Sequence, residues 1–304
     1  MLAVASMSLP REIHPGTTYL VSRRTTQRQF LLRPGAKTNQ IVFYVLAYAA
    51  KVAGVTVHAF IAMSNHIHCV VTDPRGKLPV FLHALDRLIS CCMNALLGRR
   101  ETLWNSEPPS VVALEDDSDV IARIAYVIAN PTRAGLVFEP AQWPGAITPV
   151  CGIRMEVARP TVYFSKKGKM PPTIELNVVP PELASCADVH DVLARTQAVL
   201  DEKLRIARAA VADSGRSFLG RDAVLATDLT ASPSTPEPSF RRQPRLAARR
   251  IESRRSAIDR LRAFHASYAH ALRRWREGDR SVVFPAGTYA MRIRHGVLVD
   301  DAPE

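Results

Sequence analysis

The run from Val55 to Ala62 and the run from His66 to Thr72 are both apolar and β-branched, and little more than Ser64-Asn65 separates them. A connection that short between two β-type runs leaves only an antiparallel hairpin. A lone hairpin is marginal in water, so the flanking chain must supply further strands and a covering layer. Upstream, Pro15-Gly16 opens onto Thr17 to Ser22, a strand by composition. From Asn39 to Val52 the residues Ile41, Val42, Val45, Leu46, Ala49 and Val52 recur at helical spacing, with Gly54 placed to end the helix.

Downstream, Pro74-Arg75-Gly76 closes the hairpin and a helix follows over Pro79 to Leu97, with Phe81, Leu82, Leu85, Leu88, Ile89, Cys92 and Leu96 on its apolar side. Trp104 to Leu114 is a proline-containing strand or loop. Asp116-Asp117-Ser118-Asp119 then begins a helix through Val120, Ile121, Ile124, Ala125 and Ile128. That helix is expected to stop near Asn130-Pro131, because the residue before proline is disfavoured in the α region. The order strand, helix, hairpin, helix, strand, helix predicts an α+β fold.

The remaining chain is less regular. Arg159 to Val179 is expected to be irregular and β-rich, Glu182 to Asp213 helical, and Thr230 to Pro238 a linker by composition. Arg241 to Arg280 is arginine-rich and helical in pattern, and Ser281 to Val299 strand-like. With 304 residues there is room for one large domain or two modest ones. The expected division is a catalytic unit over 1–150, an extension that is β-rich and then helical over 151–229, a Pro/Ser/Thr linker over 230–240 and a basic helical region over 241–304.

The net charge of +12 and the pI near 9.9 say little about fold but favour a polyanionic partner, nucleic acid above all. No bilayer-spanning apolar run and no secretory leader are expected. The five cysteines show no CxxC spacing, which argues against a zinc ribbon or a disulfide framework and for reduced thiols in the cytoplasm.

In a strand His66 and His68 share a face, so both imidazoles can reach one metal ion. Taken alone, such a pair is more often two ordinary strand histidines. Tyr126 and Asn130 stand i, i+4 on the later helix and so share a face. Asn130 can offer an amide oxygen, a hard ligand suited to Mg²⁺ or Mn²⁺, and Tyr126 would then face a metal-bound phosphate as a nucleophile. Singly, Tyr126 is a packed helix tyrosine and Asn130 a helix cap. Arg23, Arg24 and Arg28 lie in a polar segment that is either a solvated hairpin or a set of phosphate contacts.

Met63-Ser64-Asn65-His66-Ile67-His68, followed by Tyr126-Val127-Ile128-Ala129-Asn130-Pro131-Thr132-Arg133-Ala134-Gly135-Leu136-Val137, resembles the single-tyrosine HUH transposases, closest to the REP-associated tyrosine transposase branch. The resemblance covers about Pro15 to Val150. One departure is Ser64, where the family commonly has proline. The resemblance implies a ferredoxin-like antiparallel sheet flanked by helices, the HUH nuclease fold, here with a mainly helical basic C-terminal extension. It implies His66, His68 and Asn130 as ligands of Mg²⁺ or Mn²⁺ and Tyr126 as the residue that attacks single-stranded DNA. The product would be a covalent 5′-phosphotyrosine with a free 3′-hydroxyl, resolved by a second 3′ end.

The implied partner is single-stranded DNA with hairpin or palindromic repeats, bound by a monomer or homodimer in the nucleoid-bearing cytoplasm. Arg23, Arg24, Arg28 and Arg133 are the candidate DNA contacts. Two alternatives stand beside this one. A DNA-binding protein without transposition would not need His66, His68 and Tyr126 together, and a metallohydrolase using water would not need Tyr126.

Overall fold

The computed structural model describes residues 9–165, 168–235 and 244–300. The expected βαββαβ order is present: β1 (Thr17–Arg24), α1 (Ala36–Ala53), β2 (Thr56–Met63), β3 (His66–Asp73), α2 (Leu78–Leu97) and β4 (Ser110–Leu114). These four strands lie in the order β2-β3-β1-β4 and each neighbouring pair is antiparallel, the ferredoxin-like layout. The helix α3 (Asp117–Arg133) follows, and then β5 (Ile153–Ala158), β6 (Thr173–Val178), α4 (Val189–Asp213) and α5 (Arg221–Ala226). β7 (Leu246–Ala247), α6 (Ile251–Arg276), β8 (Val283–Phe284), α7 (Ala290–His295) and β9 (Leu298–Val299) complete the chain.

Strands from the later chain enlarge the sheet to seven, in the order β5-β6-β2-β3-β1-β4-β7. β6 joins β2, and β7 joins β4, in short parallel contacts. The sheet is therefore built from residues on both sides of the boundary expected near residue 150.

Helices cover both faces, because both faces are apolar. On one face Tyr19, Val21, Phe60, Ile67, Cys69 and Val71 pack against Ile41, Val45 and Leu46 of α1 and Phe81, Leu85 and Ile89 of α2. On the other, Leu20, Ala59, Ile61, Val70 and Val112 pack against Ile124 and Ile128 of α3, which α4 covers with Leu200 and Leu204. A β-bulge between Val57 and Ala59 inserts His58 and reverses the alternation of β2. Phe60 and Ala62 thereby turn to α1 and α2, while Ala59, Ile61 and Met63 turn to α3.

Several expectations are corrected. α3 does not stop at Asn130 but runs through Pro131 to Arg133. Asn130, Pro131 and Thr132 are all buried in that last turn, and packing outweighs the local bias against helix before proline. α4 begins at Val189 rather than near Glu182, where the Asp188 carboxylate accepts from Asp191 N at 2.9 Å as an N-cap. The expected linker is docked where described, with Phe30 N donating to Ala231 O and Arg28 to Thr235 O. Residues 236–243, which include its end and the start of the arginine-rich stretch, lie outside the described residues. Within 281–299 the expected strand is two short strands around α7. Contrary to expectation, α2 is long and apolar enough to cross a membrane, yet Leu78, Phe81, Leu85 and Ile89 are spent on the core.

Candidate active site

The side-chain alternation of β3 puts His66 and His68 on the face that α3 covers, with Ile67 and Cys69 on the other. Their ring centroids are 4.7 Å apart. Tyr126 on α3 meets His68 edge-on, with centroids 5.4 Å apart. The two halves of the motif, far apart in the chain, thus converge on one spot.

Each imidazole is oriented through its Nδ1. His66 Nδ1 lies 2.6 Å from Asn65 Oδ1, an acceptor, so Nδ1 carries the proton and Nε2 keeps its lone pair. The Asn65 amide is held the right way round because its Nδ2 donates to Arg28 O at 3.2 Å. His68 Nδ1 lies 2.6 Å from Ser22 Oγ, directly across the β1–β3 ladder. With Nδ1–H donating there, His68 also has Nε2 available.

Burial, reinforced by the charge of Arg28, pushes His66 down to about 4. His68 is held well below its ordinary value by burial first, then by His66, Arg133 and Arg123. Both rings are therefore neutral at neutral pH, the state a metal ligand needs.

Asn130 lies one helical turn after Tyr126 and is buried, and its side-chain amide has no hydrogen-bond partner among the described residues. Although the residue is packed, its amide keeps some contact with solvent, from which a ligand would reach it. Among the described residues no three His, Cys, Asp or Glu side chains gather into a metal site, so a third protein donor here would be an oxygen of another kind, for which the Asn130 amide is a candidate. Two neutral imidazoles and an amide oxygen are a chemically sound set for a divalent ion and leave its full charge for an anionic substrate.

The four candidate arginines separate. The guanidinium of Arg133 sits over the Tyr126 ring, 4.6 Å from its centroid. Arg28 is close enough to act electrostatically on His66, and its guanidinium donates to Thr235 O at 2.6 Å and Thr235 Oγ1 at 3.0 Å. Its backbone is left-handed, with φ 58°, as is that of Gln27 with φ 47°. Arg24 stands opposite His66 in the ladder, on the same face. Arg23 faces the other way, toward α2, where its Nε lies 3.3 Å from Asp86 Oδ2. The structure does not bring Arg23 to the histidines.

Sequence reasoning passed over Ser22, Asn65 and Arg123. Arg123, three residues before Tyr126, lies 6.0 Å from that ring and was within reach of the same helical-face rule. Asn65 adjoins His66 in the motif itself. Ser22 carried no signal, since its role depends on strand register.

No family model and no curated protein matches the chain. Several solved chains are similar to part of it, and two of them show the extent of the likeness. One is a REP-associated tyrosine transposase bound to a REP hairpin, 16% identical, covering 46% of this chain and 81% of that one, with a TM-score of 0.39. The other is a candidate transposase of Deinococcus radiodurans R1, 19% identical, covering 41% of this chain and 97% of that one, with a TM-score of 0.29. At these TM-scores the likeness carries no functional reading, and the side chains of the site must carry it.

Proposed function

We propose that this protein is a metal-dependent transposase-type enzyme that cleaves and rejoins single-stranded DNA through a covalent bond to Tyr126. The observation that carries the reading is the edge-on convergence of Tyr126 on His68, with ring centroids 5.4 Å apart, beneath the Arg133 guanidinium. A tyrosine held only for packing does not call for two oriented, neutral imidazoles on one side and a cation over its face.

His66 and His68, through Nε2, and the Asn130 amide oxygen would hold Mg²⁺ or Mn²⁺, which when bound supplies Lewis-acid polarisation of the scissile phosphodiester. Asn65 keeps His66 in the tautomer with Nε2 free, and Ser22 orients the His68 ring through Nδ1, which leaves its Nε2 for the metal when Nδ1 carries the proton. Tyr126 Oη attacks phosphorus, and the new O–P bond replaces the P–O3′ bond. The tyrosine proton is lost to solvent and the departing 3′-oxygen is protonated to a hydroxyl. The phosphotyrosine conserves the phosphodiester energy, so a second 3′-hydroxyl can reverse the step on a new end without ATP. Arg133 and Arg123 draw the phosphate to the ring by charge. The substrate class is single-stranded DNA bearing hairpin or palindromic repeats, engaged by one copy or by a homodimer.

The test is direct. Wild-type protein with Mn²⁺ or Mg²⁺ and a labelled, hairpin-bearing single strand is expected to yield a protein–DNA adduct that survives detergent. Tyr126→Phe, which keeps the ring and its packing, is expected to yield none. An undiminished adduct from Tyr126→Phe would refute the nucleophile assignment.

A further inference from the structure

Arg123 and Arg133 lie at the Tyr126 ring, and their charges reach Lys203, which comes, as Arg249 does, from beyond the region that resembles the transposases. Arg123, Tyr126, Asn130 and Arg133 follow one another along a single face of α3. α4 packs on α3 through Leu200 and Leu204, which share a core with Ile124 and Ile128. Lys203 sits between those two leucines in sequence, partly exposed at the seam between the helices.

The charges of Arg249, Arg133 and Arg123 all reach Lys203 and, after burial, press its ammonium below the ordinary lysine value. The same Arg133 and Arg123 act on His68. Among the described residues no carboxylate forms an ion pair with Lys203, Arg123 or Arg133. The Asp119 carboxylate acts on Arg123 and Arg249 and accepts from Arg249 N, whereas Lys203 and Arg133 have no carboxylate partner among the described residues and are open to an anion.

We propose that Lys203 on α4 completes, with Arg123 and Arg133, a cationic seat for the DNA phosphates next to the scissile one. The proposal rests on the tyrosine-nucleophile reading for the identity of the anion. In it, α4 is a working wall of the active site, and the seat continues along the α3–α4 seam toward Arg249. Lys203 is a binding residue, and its contribution is charge.

The experiment measures binding of the full chain to a single-stranded dT oligonucleotide, which carries the phosphate backbone and no recognition sequence, across a salt series. Lys203→Gln, which retains most of the side-chain stem, is expected to weaken binding several-fold. It should also lower the slope of log K against log salt by about 0.7, the single-strand value for one neutralised phosphate. Lys203→Arg is expected to restore both. Arg205→Gln serves as control, because Arg205 is exposed and paired with Glu202 within α4.

An unchanged slope in Lys203→Gln, or equal losses in Lys203→Gln and Lys203→Arg, would overturn the proposal. Because binding is read without chemistry, a wild-type protein that binds DNA with the expected slopes yet forms no adduct would sink the nucleophile reading alone.

Discussion

Removing the Ser22 hydroxyl tests whether the second layer of the site matters. Ser22 Oγ is 2.6 Å from His68 Nδ1 and is the only hydrogen-bond partner of that imidazole among the described residues. In Ser22→Ala the ring can rotate or shift its proton to Nε2, the atom left for a metal. Loss of such an orienting partner usually weakens metal affinity about 10- to 100-fold, which is about 1.4–2.7 kcal/mol. Folding stability should fall by only about 1 kcal/mol, the net worth of one hydrogen bond, since Ser22 is half-buried and water can replace it in part. The assay is calorimetric titration of Mn²⁺ into wild type, Ser22→Ala and Ser22→Thr, beside urea unfolding of each. Ser22→Thr keeps a hydroxyl on Cβ and is expected to bind Mn²⁺ within a few-fold of wild type. If Ser22→Ala bound Mn²⁺ as tightly as wild type, His68 would not be a ligand oriented in this way.

Three further outcomes are expected. Two imidazoles and an amide favour Mn²⁺ over Mg²⁺, so Mn²⁺ should bind at least about tenfold more tightly, and His66→Ala should abolish most of that preference; equal affinities in wild type would contradict the donor set. Asp73 is fully buried and its carboxylate accepts from Arg75 N, Lys77 N and Leu78 N at 3.2, 2.9 and 2.6 Å, capping α2 from outside the helix. Asp73→Ala should therefore cost about 2–4 kcal/mol in urea unfolding, and a loss below 1 kcal/mol would show that the cap is dispensable. His58 is buried between Val179 O and Thr72 Oγ1, each at 2.8 Å, and burial lowers its proton affinity in the fold. Its contribution is complete above the unfolded value near 6.5 and is lost as pH falls below it. His58→Gln should flatten the loss of stability between pH 7.5 and 5, and an unaltered pH profile would exclude His58 as a source of that loss.

The βαββαβ frame was legible because its signals are local. Periodicity switches between helix and strand within short windows, and Ser64-Asn65 leaves no room for anything but a hairpin. The convergence of Tyr126 on His68 was legible only through the paired motifs and the resemblance they carry, since neither residue announces the other. The bulge at His58 was not legible, because β2 alternates acceptably in either phase and only the packing of Phe60 and Ala62 selects one. β6 and β7 were not legible as parts of this sheet either. Their pairing with β2 and β4 rests on very few rungs, such as Val57 with Val178 and Ala113 with Leu246. The continuation of α3 past Pro131 and the seat formed by Lys203 are likewise products of packing between distant segments.

Because β6 and β7 guard opposite borders of the sheet, the order of synthesis has a consequence. β2 and β4 are complete long before the segments that flank them leave the ribosome. At ~5–20 residues per second, the nascent sheet spends several seconds with two bare borders. Unpaired strand borders invite pairing with other chains. The polypeptide should therefore be most vulnerable to self-association midway through translation, and a fragment ending near residue 150 should require chaperone assistance or precipitate, whereas the full chain should not.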